Sequence, residues 1–316
     1  MMDKEKIQSA ILGFIVGDAL GVPFEFQSRT KLKPNPITTM TEGGAWGQPI
    51  GTWSDDTSMV LATLESLPFG YDLDDLGQHF DEWYFQKRYT PHGKVFDIGN
   101  QTKDGLNKIH KLIKEHRAIT PLPAGTDEKK NGNGSLMRIL PFGFYLHTYP
   151  IEKRWEVINE VSSLTHPHIR SIISCFIYSE LVMELLAGGD KWDSYKMMLE
   201  RVSKFLTGLV PHSELDLFER ILKSDIRNLN ESEIRSGSYV IHTLEAVLWC
   251  FLCQNNYKDA VLTGVNLGED TDTIGALIGG LAGLTYNDVP VRWVDLLVKK
   301  KEILGMIEVF VKTLPR

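Results

Sequence analysis

The chain is short of positive charge: 34 Lys and Arg stand against 41 Asp and Glu, a formal net charge of −7. Affinity for nucleic acid or an anionic membrane rests on cations that neutralise phosphates, so this balance excludes a general polyanion binder. Cysteine is scarce and odd in number, three in all, which rules out a complete intramolecular disulfide framework and points to a reducing compartment. Cys250 and Cys253 form a CxxC, but they lie in the apolar run YVIHTLEAVLWCFLC and not where a strand turns into a helix, so they read as small packing residues. Long uninterrupted apolar runs are lacking too. Arg170, Glu180 and Glu184 break up residues 169–187, and the run 239–253 is short and carries His242 and Glu245. The charged start, MMDKEKIQSA, does not have the pattern of a signal peptide, and together these features lead us to expect a cytoplasmic protein. There is no series of alternating strands and no repeat of fixed length.

What the chain does have is helical spacing, opened by Ile7, Ile11, Phe14 and Ile15. With 42% apolar and 24% charged residues the composition is globular, and 316 residues suffice for a sizeable core. We therefore expect an all-α fold, a compact helical bundle forming a single domain over residues 1–316. Gly13, Gly17 and Gly21 recur every fourth residue, as do Gly275, Gly279 and Gly283. A glycine inside a helix costs roughly 1 kcal/mol relative to alanine, so close backbone packing must compensate. Both helices are expected at the crowded centre, bringing Asp18 and Glu25 towards Asp270 and Asp272.

Two acidic clusters stand immediately before apolar helical runs. In GEDTDT, Glu269, Asp270 and Asp272 precede a helix expected to begin at Ile274, with Thr271 or Asp272 as its cap. One acid would suffice for a cap; three within four residues repel one another unless protons or a divalent cation offset the charge. The second cluster is Ser54, Asp55, Asp56 and Thr57, before Met59, Val60, Thr63, Leu64 and Leu67. Hard ions such as Mg²⁺ and Mn²⁺ take carboxylate and hydroxyl oxygens, so Ser54, Asp55, Asp56, Asp270, Asp272 and Thr273 make a suitable ligand set, better for two ions than for one. A third motif, Gly132-Asn133-Gly134-Ser135, precedes LMRILPF, where glycine lets the backbone approach a phosphate and a helix start favours its charge. Residues 27–51, rich in Pro and Gly, read as a mobile flap. Thr102 is a cap candidate for the helix after Gly99 and Asn100, and Trp46 and Trp53 are candidates for stacking on a base, against a default of buried packing.

The motifs SDDT, GNGSLMR and GEDTDT, in this order and with GDALGVPFE near the start, resemble the ADP-ribosylglycohydrolases across residues 11–286. The resemblance implies an all-helical fold with a binuclear Mg²⁺ or Mn²⁺ centre in a central cleft, which removes ADP-ribose from a modified protein side chain or a small-molecule conjugate. It implies that Glu25 lies near the metals, that Gly132, Asn133, Gly134 and Ser135 contact diphosphate and ribose, and that Asn100 and His166 approach the ligand. Arg138 would fix the loop, while His168 has the weaker case and reads as a surface residue. Either Asp56 or Glu25 would take the proton of the attacking water. The chain departs from the family pattern at Glu269, where glycine is common, and at Ser54, where threonine is often found; SDDT is more similar to the arginine-specific branch. Two other readings remain open: a non-catalytic ADP-ribose reader, and a metal phosphohydrolase cutting the diphosphate.

Overall fold

The computed structural model, which describes residues 3–314, is built from helices. They are α1 (Lys4–Gly21), α2 (Asp55–Ser66), α3 (Leu73–Gln86), α4 (Asn100–Lys114), α5 (Ile151–Ser163), α6 (Ile169–Leu186), α7 (Lys191–Leu206), α8 (Val240–Cys253), α9 (Tyr257–Val265), α10 (Thr271–Tyr286) and α11 (Lys300–Thr313). Shorter helical turns and loops join them. Among the described residues extended backbone pairs only at isolated bridges, so the fold is all-α, as the periodicity predicts.

The glycine spacing explains the centre. Gly13 faces Gly279, Gly17 faces Gly275 and Gly21 faces Thr271 and Asp272, a register that runs in opposite directions along the two helices. Hence α1 and α10 are antiparallel and packed backbone to backbone. Side-chain hydroxyls fasten α1 to its neighbours: Thr271 Oγ1 of α10 donates to the Gly21 carbonyl at 2.7 Å, and Tyr257 Oη of α9 to the Gly13 carbonyl at 2.6 Å. Each bond satisfies a buried group that would otherwise cost about 1–3 kcal/mol. By length and composition α1 is apolar enough to cross a membrane, with a mean hydropathy of 1.6 over its best window, but 78% of that window is buried inside the fold. Such a helix, hydrophobic all round, is what the core of a large domain requires.

Residues 27–51, expected as a mobile flap, are pinned in their first half. Arg29 donates to the carbonyls of Leu267, Glu231 and Ile234, Asn266 bonds both the N–H and the carbonyl of Ile37, and Leu32, Ile37 and Met40 are buried. Only the turn around Gly43 to Gln48 reaches over the cleft, carrying Trp46.

Candidate active site and metal centre

The packing of α1 on α10 brings the first turns of α2 and α10 together. α2 is capped by Ser54, whose Oγ accepts from the Asp56 N–H at 3.2 Å. Asp18, on α1, braces the same turn: it accepts from the backbone N–H of Ser54 at 3.0 Å, from that of Thr57 at 3.0 Å and from the Thr57 hydroxyl at 2.5 Å. Asp18 thus comes near the late acids, as expected, but holds a helix end and does not line the cleft. α10 begins at Thr271, three residues before the predicted Ile274, and neither Thr271 nor Asp272 is its cap. Asp270 occupies the cap position without making a capping bond, and its Oδ2 accepts from Asn133 Nδ2 at 2.7 Å. The late acids are therefore not spent on ending a helix. Thr273 Oγ1 donates to Asp56 Oδ2 at 3.3 Å, joining two motifs 217 residues apart.

Three carboxylates close the other side: Glu25, Asp97 and Asp272 offer oxygens all within 4.8 Å of one another. Asp97 was not singled out by sequence. It lies in FDIGN, an ordinary turn by composition, and its backbone is left-handed there, φ +59°. Glu25 is fixed by the Trp46 indole N–H, which donates to Oε2 at 2.5 Å. Trp46 in turn meets Phe26 and Phe96 at ring-centroid distances of 6.1 and 5.8 Å.

So many buried acids cannot all be ionised side by side. Burial, and then the charge of Asp272, push Glu25 up to about 8, and the same two causes push Asp270 up to about 8. Asp55, Asp56 and Asp97 are raised well above the carboxylate range, again by burial first and Asp272 second. Asp18 rises only to about 6, because the hydrogen bonds from Thr57 and Ser54 favour its charged form. Two oxygens of these acids, Asp56 Oδ1 and Asp272 Oδ1, are buried without a partner among the described residues. An all-oxygen donor set with unsatisfied carboxylate atoms fits hard divalent cations, which supply both the missing partner and the missing charge.

The remaining candidates fall along a cleft of about 910 Å³, within the range of small-molecule sites. Asn100, Gly132, Asn133, Gly134 and His166 line it with Glu25, Asp55, Asp56, Asp270, Asp272 and Thr273. Ser54 stands behind Asp56, its Oγ donating to Asp56 Oδ2 at 3.2 Å. Ser135 does not line the cleft: its hydroxyl is fully buried and accepts from Ser162 Oγ at 2.9 Å. The glycine loop leads into a single 3₁₀ turn, Leu136–Arg138, so the dipole of a long helix is not available to a phosphate there. What the loop offers is close approach.

Other expectations are corrected. Glu269 is exposed and outside the cleft lining; its φ is +64° and its backbone pairs with Phe26 and Gln27. Trp53 follows its default of buried packing and donates to the Val298 carbonyl, so it is no candidate for stacking on a base. α4 starts at Asn100, so Thr102 lies inside it and is not its cap. His168 is no surface residue: it is 4% exposed, and its Nδ1 caps α6 by accepting from the Arg170 N–H.

The profile of one protein family, ADP-ribosylglycohydrolase, matches residues 2–315. An ADP-ribosylarginine hydrolase Tri1 of Serratia proteamaculans is 30% identical over 311 residues, covering 96% of this chain and 78% of that protein. The ADP-ribosyl-[dinitrogen reductase] glycohydrolase of Rhodospirillum rubrum is 28% identical, over 94% of this chain and 92% of its own. A solved structure titled ADP-ribosylglycohydrolase-related protein complex superimposes with a TM-score of 0.78 at 25% identity, over 98% of both chains.

Proposed function

This chain belongs to the ADP-ribosylglycohydrolase family, whose members are hydrolytic enzymes, and from that premise we propose that it cleaves the glycosidic bond between ADP-ribose and a modified protein side chain, with arginine as the favoured acceptor. The observation that carries the reading is the convergence of Asp55, Asp56, Asp270 and Asp272 at the floor of one cleft, with Asp56 Oδ1 and Asp272 Oδ1 left without partners. Two relatives named for ADP-ribosylarginine hydrolysis support the acceptor.

Ser54, Asp55, Asp56, Asp270, Asp272 and Thr273 would hold two divalent cations, Mg²⁺ or Mn²⁺. Bound there, such ions lower the pKa of a water and orient the hydroxyls of a sugar. The chain's own groups do the rest. Glu25, fixed by Trp46 and raised towards neutrality, stands outside the first turns of α2 and α10 and takes the proton of the attacking water, with Asp97 beside it. Asp56 is the weaker base, since Ser54 and Thr273 already bond its Oδ2. Gly132 and Gly134 admit the diphosphate to the backbone, and His166 lies against them.

The test is hydrolysis of arginine- and serine-ADP-ribosylated peptides with and without Mg²⁺ or Mn²⁺. Free ADP-ribose as product, lost in Asp55→Ala and Asp272→Ala, supports the proposal; AMP as product would favour diphosphate cleavage instead. Full turnover in either variant, or under chelation, would remove the metal from the account, and no turnover on any substrate would leave only a reader of ADP-ribose.

A further inference from the structure

Behind the glycine loop lies a buried cation that, among the described residues, is paired with no carboxylate. Arg138 is fully buried, and its guanidinium donates to the Gly134 carbonyl at 2.9 Å, the Val161 carbonyl at 3.2 Å and the Thr165 hydroxyl at 2.9 Å. It also lies over the Phe80 ring, 5.0 Å from its centroid. Thr165 Oγ1 is in turn 2.7 Å from Nδ1 of His166, itself only 2% exposed.

The direction of these bonds is decided by counting protons. A guanidinium has no acceptor, so Thr165 Oγ1 must accept from Arg138. Its single proton then needs an acceptor, and among the described residues the one within reach is His166 Nδ1. Were Nδ1 protonated, it and Arg138 would both donate to that oxygen, and the buried hydroxyl's own proton would be left without an acceptor, which costs about 1–3 kcal/mol. An imidazolium is opposed as well, because burial and the Arg138 charge push His166 down to about 3. The neutral ring must therefore carry its proton on Nε2. That nitrogen has no protein partner among the described residues and faces the cleft between the two glycines: a Cβ on Gly132 would lie 3.6 Å from it and one on Gly134 3.2 Å.

We infer that Arg138 and Thr165 are positioning residues that lock His166 as a neutral Nε2–H donor aimed into the cleft beside the glycine loop, where it meets an acceptor oxygen of the bound nucleotide diphosphate sugar. The ligand class rests on the function proposed above; the tautomer does not. The arrangement gives the cleft a fixed donor that adds no positive charge, and the guanidinium that enforces it never touches the ligand.

The tautomer is read by long-range ¹H–¹⁵N correlation on histidine-labelled protein at pH 7. Nine histidines contribute, and His166 is assigned by the signal lost in His166→Gln. The expected pattern is a neutral ring protonated on Nε2, whose proton resonance moves on adding ADP-ribose. Thr165→Val removes the hydroxyl and should release the ring to a mixture of tautomers and weaken ADP-ribose binding about two- to tenfold, the worth of one neutral hydrogen bond. Thr165→Ser restores both. A wild-type ring protonated on Nδ1 or on both nitrogens would overturn the inference, as would a valine variant that keeps the wild-type pattern or binds ADP-ribose as tightly. Absence of hydrolysis would sink the function proposed above and leave the tautomer measurement standing.

Discussion

Replacing Gly275 with alanine would insert one methyl group where α10 meets α1. Its Cβ would lie 2.6 Å from the Gly17 carbonyl oxygen, 3.1 Å from Val265 Cγ1 and 3.2 Å from the Gly17 carbonyl carbon. Ordinary contact begins at 3.4 Å, so the oxygen is about 0.8 Å too close, and it belongs to backbone that cannot rotate aside. Overpacking of this kind costs about 1–3 kcal/mol. Alanine in place of a helical glycine returns roughly 1 kcal/mol. A contact this short with fixed backbone belongs at the upper end of that range, so the expected net loss is about 2 kcal/mol, read as a lower urea midpoint with an unchanged slope. Gly305→Ala in α11 is the control: nothing lies within 4 Å of the new methyl and the site is exposed, so only the propensity gain of up to about 1 kcal/mol should appear. Gly275 also stands one turn after Asp272, and a misplacement near 1 Å costs up to about 100-fold in rate, so turnover should fall by about 10- to 100-fold. A Gly275→Ala protein as stable as the parent, or one less stable with undiminished turnover, would refute the link between helix contact and site.

Metal-free protein should lose stability as pH rises. Glu25 and Asp270 have folded values of about 8 against ordinary values of 4.5 and 3.8, so their contribution is complete below about 4 and disappears through pH 8. The thermal midpoint of chelated protein should fall between pH 5 and 8.5, less steeply with Mg²⁺ or Mn²⁺ added; a rising midpoint would contradict this. Trp46→Phe keeps the aromatic contacts but removes the N–H that favours ionised Glu25, so the pH–rate profile should move alkaline and turnover at pH 7 drop about tenfold. Asp18→Asn places an amide against donors from Ser54 and Thr57, and should cost about 2 kcal/mol in denaturant titration while reducing turnover, although Asp18 does not line the cleft.

The helical fold and the meeting of Asp55 with Asp272 were legible because acids placed before apolar runs have a local signature, and because paired glycine spacings tell which two helices approach. Asp97 and Glu269 show where such reading stops. Whether a carboxylate faces inward depends on how its turn is placed in the fold and not on one backbone angle: φ is positive at both, yet Asp97 joins the cluster and Glu269 is exposed. Nearness to Asp270 in sequence said nothing of this. Ser135 was placed in the cleft for the related reason that composition cannot tell which face of a motif is buried, and the capping role of Asp18 depends on a partner 36 residues away.

The central antiparallel pair joins segments far apart along the polypeptide, since Gly21 and Thr271 are 250 residues apart. At about 5–20 residues per second, a ribosome needs roughly 12–50 s to deliver the second helix after the first has emerged. Throughout that interval the oily N-terminal segment has no mate, and the reaction chamber has only one of its walls. Production in the cell should accordingly depend on chaperones that shelter nascent chains, and premature termination anywhere before α10 should yield an insoluble fragment and not a weak enzyme.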